Sequence, residues 1–130
     1  MIRFLTIEEV IMINHFVIKK YSPEEMLGVK SKDLLESAVN RPKYSLFGKD
    51  AYETIFEKAA ALFESLAQNH PFHNANKRVA FLSMLQFIKY NGYYLTMSEK
   101  EAELFTFEVV LKKIKFEGIT KKIKENCKKL

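Results

Sequence analysis

The residues with the most chemical content stand together: His70-Pro71-Phe72-His73-Asn74-Ala75-Asn76-Lys77-Arg78. They separate two stretches of helical periodicity, and a connection between core helices needs no such density of polar and basic side chains. Three devices coincide here. Ala75 and its neighbours lie at the start of the second helix, where free backbone N–H groups and the positive end of the dipole form an anion site. Lys77 and Arg78 fall in the first turn, where a cation is unfavourable against that dipole, so a bound anion is expected to offset the cost. His70 lies just upstream, and an imidazole titrates near neutrality, which suits it to accept a proton. A phosphate cradle beside a base is what nucleotide-dependent group transfer requires. His70 and His73 also have the His-x-x-His spacing of metal ligands. No third ligand is evident and Pro71-Phe72 spoils a regular helix, so a zinc site is not expected.

The elements that must position this loop read as helices. Thr6 and Glu9 make a capping box. Val10, Ile11, Ile13, Asn14, Val17 and Ile18 then supply a helical stripe to about Tyr21, where Ser22-Pro23 breaks it. A short helix is predicted over Lys32 to Asn40, ended by Arg41-Pro42. Pro42 to Lys49 has extended character and predicts a short hairpin or flap. Asp50 and Glu53 repeat the capping-box pattern ahead of a strong helix through AYETIFEKAAALFESLAQ. After the polar loop, a helix beginning near Asn74 to Asn76 runs through RVAFLSMLQFIKYN. It is apolar on most faces, which predicts the central buried helix, and Asn91-Gly92 stops it. Ser98 with Glu101 opens another helix through Val110, and a Lys-rich helix is predicted from about Phe116 to Lys128. The fold expected is all-α: five to seven helices around one hydrophobic helix, with a hairpin near residues 42–49, forming a single domain over residues 1–130.

Composition agrees. The chain has 130 residues, 48% of them hydrophobic and 28% charged, an ordinary globular make-up. Four glycines and three prolines are too few for the turns of a β-sandwich or barrel. A single cysteine excludes an internal disulfide framework, and Cys127, near a charged terminus, reads as inert. The first residues, MIRFLTIEEV, do not have the form of a secretory signal, and no stretch is apolar enough to span a membrane, so the expectation is a cytoplasmic protein. The net charge of +5 resides in the C-terminal tail, where eight lysines from Lys112 to Lys129 face only Glu117 and Glu125. Such a patch suits a solvated helix, an acidic protein partner or nucleic acid. A non-catalytic basic binding module would leave the loop at residues 70–78 unexplained, which argues against nucleic acid as the partner.

HPFHNANKR resembles the central motif of the Fic/Doc family, His-x-Phe-x-(Asp/Glu/Asn)-(Gly/Ala)-Asn-(Gly/Lys)-Arg, and is most similar to its Doc (death-on-curing) toxin branch, which carries Lys where AMP-transferring members have a second glycine. LTIEEVIMIN, GVKSKDLLESAVNRP, YETIFEKAAALFESLAQNHPF and FIKYNGYYL resemble the family's flanking segments, so the likeness covers nearly the whole chain. It implies that His70 engages the target hydroxyl as base or positioning group. Phe72 would pack under the loop, and Ala75, Asn76, Lys77 and Arg78 would hold nucleotide phosphates. Asn74 stands where the family usually has an acidic Mg²⁺ ligand. An amide offers a neutral oxygen, so Mg²⁺ would be held weakly, chiefly through ATP and water. The second arginine of the AMP-transferring branch is replaced by Phe81. With Lys77, this favours phosphoryl transfer from ATP to a Ser/Thr hydroxyl over the alternative, AMP transfer. The family's known target is elongation factor Tu, and its toxins are restrained by small antitoxins. No Ser or Thr here is followed by Glu four residues later, so the self-inhibitory helix of many AMP-transferring relatives has no counterpart, and restraint by a partner in trans is implied.

Overall fold

Thr6 opens the first helix as its spacing predicts: its hydroxyl accepts from the Glu9 N–H at 3.1 Å, and its own N–H donates to the Glu9 carboxylate at 2.9 Å. The computed structural model describes residues 1–130. Helix α1 (Ile7–Tyr21) is followed by α2 (Lys32–Asn40), capped by the Ser31 hydroxyl. A 3₁₀ turn over Arg41–Lys43 then leads into an antiparallel hairpin, β1 (Ser45–Leu46) with β2 (Lys49–Asp50). Phe47 and Gly48 turn it with φ of +52° and +77°, the pairing that matches strand twist in a two-residue hairpin loop. The expected hairpin is therefore present, but it starts three residues later, after Tyr44, and ends one residue later, at Asp50.

The helices α3 (Ile55–Asn69), α4 (Asn76–Tyr90), α5 (Glu99–Val110) and α6 (Phe116–Glu125) complete the bundle, so the chain is all-α with six helices and only short strands. Three sequence expectations need correction. Asp50 does not cap α3; Thr54 does, accepting from the Glu57 N–H at 3.1 Å, because Asp50 is drawn into the hairpin and pairs with Lys58 at 3.1 Å. The most enclosed helix is α3 rather than α4. It buries nine of its fifteen residues against six for α4, since Ala59-Ala60-Ala61 lets α2, α4, α5 and α6 all approach it. Finally, the Lys-rich helix ends at Glu125. Cys127–Lys129 form a strand, β4, antiparallel to β3 (Tyr93–Leu95), with Tyr94 opposite Lys128. The two tyrosines of β3 supply the strand-favouring partner that a tail read in isolation lacks.

The core gathers Val10 and Val17 of α1, Phe63 and Leu66 of α3, Met84 and Phe87 of α4, Phe105 and Val109 of α5, and Ile119 and Ile123 of α6. Phe63 meets Phe105 at 5.2 Å and Phe81 edge-on at 5.9 Å. Two cations tie the segment after α2 to this core. Lys58, only 1% exposed, donates to the Asp50 carboxylate and the Tyr52 carbonyl. Arg41 donates to the Tyr52 hydroxyl at 2.8 Å, to Glu64 at 2.8 Å and to the Ser65 hydroxyl at 2.9 Å. A buried lysine persists only with its donors satisfied in this way. No helix is long and apolar enough to cross a membrane.

Candidate active site

The polar loop joins α3 to α4, and its two ends adopt backbone that non-glycine residues rarely take. His70 closes α3 with φ +50° and ψ +59°, and Ala75 precedes α4 with φ +66° and ψ +22°. Pro71 bars the right-handed helical region to the residue before it, and histidine is among the better-tolerated residues in the left-handed region. Two such residues cost on the order of 1–3 kcal/mol each and persist only where the surroundings over-determine them.

Those surroundings are visible. The Pro71 carbonyl accepts from the N–H groups of Lys30 and Ser31, at 2.8 and 3.0 Å, and the His73 N–H donates to the Gly28 carbonyl at 3.1 Å. Phe72 is fully buried in the core and its backbone bridges to Val29. The Asn76 amide then closes a ring on Phe72. Its Oδ1 accepts from the Phe72 N–H and its Nδ2 donates to the Phe72 carbonyl, both at 3.0 Å. Asn14, 2% exposed, reaches in from α1: its Nδ2 donates to the Asn74 carbonyl at 3.0 Å and its Oδ1 accepts from the Gly28 N–H at 3.4 Å. A single buried amide thus joins α1, the segment before α2 and the loop.

What remains free is the equipment for an anion. No side chain caps the N-terminus of α4. The first N–H to bond back along the helix is that of Val79, to the Ala75 carbonyl. The N–H groups of Asn76, Lys77 and Arg78 precede it and lie within the unsatisfied first turn. Lys77 and Arg78 are exposed, and the chain's ion pairs all lie elsewhere. Instead, the Arg78 guanidinium carbon lies over the Tyr21 ring, 3.9 Å from its centroid, and the Lys77 ammonium lies 5.1 Å from that of Phe107. A cavity of about 460 Å³ opens beside them, lined by Tyr21, Phe81, Leu82 and Phe107 among others. His70 is exposed and its imidazole makes no hydrogen bond within the chain. Phe81 is half-buried and lines the cavity.

Each residue singled out in the sequence thus belongs to one wired loop, with roles divided in a way that spacing did not show. The Asn76 side chain is spent on the loop itself, leaving only its backbone N–H for an anion. The Asn74 Nδ2 donates to the Met26 carbonyl at 3.1 Å, which leaves Oδ1 as a single neutral oxygen donor. No group of three or more His, Cys, Asp or Glu side chains converges, so a hard cation here would draw most of its ligands from a bound phosphate and water. Burial pushes the Cys127 thiol up to about 11, so it is no nucleophile at neutral pH. Sequence reasoning missed Asn14 and Tyr21. An amide set in an apolar helical stripe was the available signal for Asn14; Tyr21 carried none.

Comparison with known proteins agrees with this geometry. The sequence profile of the Fic/DOC family matches residues 4–88, which include α1, α3, the whole loop and most of α4. Among curated proteins, the chain is 44% identical over 69 residues to the protein named Toxin Doc of Mycolicibacterium smegmatis (strain ATCC 700084 / mc(2)155). That alignment covers 53% of this chain and 53% of the relative, so the chain spans about half the length of the curated relative it matches. With its motif loop, its free helix N-terminus and a profile match over most of its length, this chain belongs to the Fic/Doc family.

Proposed function

We propose that the chain is a Doc-type toxin that transfers a phosphoryl group from ATP to a Ser/Thr hydroxyl of a protein target. The observation that carries this reading is the uncapped N-terminus of α4, flanked by two cations without acidic partners and by an exposed histidine. In the reaction, the target hydroxyl oxygen forms a bond to the γ-phosphorus and the bond from that phosphorus to the β–γ bridging oxygen breaks. ADP leaves, and the hydroxyl proton passes to the His70 imidazole. The N–H groups of Asn76, Lys77 and Arg78, with the Lys77 and Arg78 side chains, meet the negative charge on the phosphates. Ala75 contributes by its left-handed backbone, which aims these donors, and Phe72 by anchoring the loop. Phe81 supports phosphoryl over nucleotidyl transfer, because an apolar ring stands where the AMP-transferring branch carries its second arginine.

Asn74 is the residue that would hold Mg²⁺, through its one unspent oxygen, and a bound Mg²⁺ would neutralise phosphate charge. Asn74→Asp is therefore expected to lower the half-saturating Mg²⁺ concentration roughly tenfold without changing which group is transferred. Titration of initial rates with MgCl₂ checks this. An unchanged metal requirement with reduced activity would assign Asn74 to the Met26 contact alone.

The target proposed is elongation factor Tu, with arrest of translation as the outcome, and the place of action is the cytoplasm. The partner proposed is a small antitoxin that binds in trans, and residues 1–130 are proposed to act as one Doc/Fic-type unit. Incubation with ATP labelled at the γ-phosphate, Mg²⁺ and a bacterial lysate tests the reading, with α-labelled ATP in parallel. Label transferred from the γ position alone supports it; label transferred from the α position replaces it with AMP transfer; no transfer from either overturns both. Growth arrest on expression of the chain, relieved by its genomic neighbour, is the matching test of the antitoxin.

A further inference from the structure

Arg78 sits in the first turn of α4, where the helix dipole opposes its charge, and yet no carboxylate lies within ion-pair distance. What holds it is an aromatic face. The guanidinium carbon is 3.9 Å from the centroid of the Tyr21 ring, and both side chains line the cavity of about 460 Å³. Tyr21 is the last residue of α1 and about half exposed, at 47%. Its hydroxyl makes no hydrogen bond, while its ring also has the Lys20 ammonium 5.4 Å from its centroid. The contact with Arg78 is thus made by the ring and not by the phenol oxygen.

The choice of an aromatic ring over an acid has a chemical consequence. A carboxylate would engage the N–H fork of the guanidinium and neutralise its charge. A ring brings no negative charge and no carboxylate acceptor, leaving the N–H fork and the full charge available. We propose that Tyr21 is a positioning residue for Arg78. It holds the guanidinium against the end of α1, so that its N–H donors stay available to a nucleotide phosphate. Lys77 and Phe107, at 5.1 Å, make a looser pair on the α5 side. This inference rests on the phosphate-cradle reading of the site, and it can fail while that reading stands.

The test is a double-mutant cycle on the full chain, read by calorimetric titration with the β,γ-imido analogue of ATP in Mg²⁺ buffer. Arg78→Ala is expected to weaken binding roughly ten- to hundredfold, as loss of a charge-assisted phosphate contact. Tyr21→Leu should weaken it roughly three- to tenfold, and Tyr21→Phe, which keeps the ring, by less than about twofold. In the Arg78→Ala background, Tyr21→Leu should cost nothing further. Tyr21→Gln serves as a second ring-free variant, so that an aggregation-prone leucine does not blunt the experiment, and melting curves of all variants accompany the titrations. Wild-type affinity in both ring-free variants overturns the proposal. So does a Tyr21→Leu loss that persists without Arg78, which would place the ring against the nucleotide itself. Wild-type affinity in Arg78→Ala overturns the phosphate cradle, and the inference with it.

Discussion

His70→Ala is expected to lower phosphoryl transfer by about 10²–10⁴-fold, the range for loss of a positioned general base, while leaving the fold in place. The imidazole is exposed and holds no hydrogen bond, so its removal opens no cavity and orphans no buried group. The backbone at residue 70 is fixed by Pro71 and by the bonds that Lys30 and Ser31 donate to the Pro71 carbonyl, none of which needs the imidazole. Alanine fits left-handed backbone slightly less well than histidine, so a loss of stability of about 0.5 kcal/mol is anticipated, within the usual range for surface changes. The measurement is label transfer from γ-labelled ATP alongside a thermal melt. Transfer at the wild-type rate by a folded His70→Ala protein would remove His70 from the reaction.

Phe72→Ala is expected to do the opposite: to cost about 3–5 kcal/mol of stability, the range for truncating a fully buried phenylalanine. Against a total of about 5–15 kcal/mol for a domain of this size, that is a large fraction. Phe72 has no exposed surface and belongs to the central core cluster. Its two backbone groups are the ones the Asn76 amide clasps. Losing the ring therefore loosens the loop and the core together, and activity should fall with the folded fraction. Phe72→Leu, which refills most of the space, should recover the greater part of the loss. Urea unfolding curves for the three proteins decide the matter. A midpoint for Phe72→Ala close to that of the wild type would mean that the loop carries its own stability, independent of the ring.

The contrast between these two residues also marks what was legible in the sequence. Local signals held where the structure uses local partners. Thr6 with Glu9 and Ser98 with Glu101 form capping boxes as their spacing predicts. Signals failed where a distant partner outcompeted a near one. Asp50 and Glu53 have the spacing of a cap, yet Asp50 is claimed by Lys58, a lysine that an alanine-rich helix buries. Cys127 and Lys128 look helical until Leu95 and Tyr94 are available to pair with them. At the site, the reading of Asn76 as a phosphate ligand could not foresee that its amide is consumed by Phe72, four residues back. Tyr21 was invisible for the same reason: nothing near it in sequence announces Arg78.

The ring that Asn76 closes on Phe72 has a kinetic meaning. Because that ring, the Asn14 amide and the bonds from residues 28–31 are all made within the chain, the proposed nucleotide would find its donors already in place and have little backbone to order. Association should then be limited by diffusion and electrostatic steering and not by a slow rearrangement. In stopped-flow mixing it should appear as one exponential phase, with a rate that rises linearly with nucleotide concentration and falls as salt is added. A rate that saturates at high nucleotide would mean that the loop opens and closes first. The clasp would then act as a latch, and the lifetime of the open state would set how fast the protein engages its nucleotide.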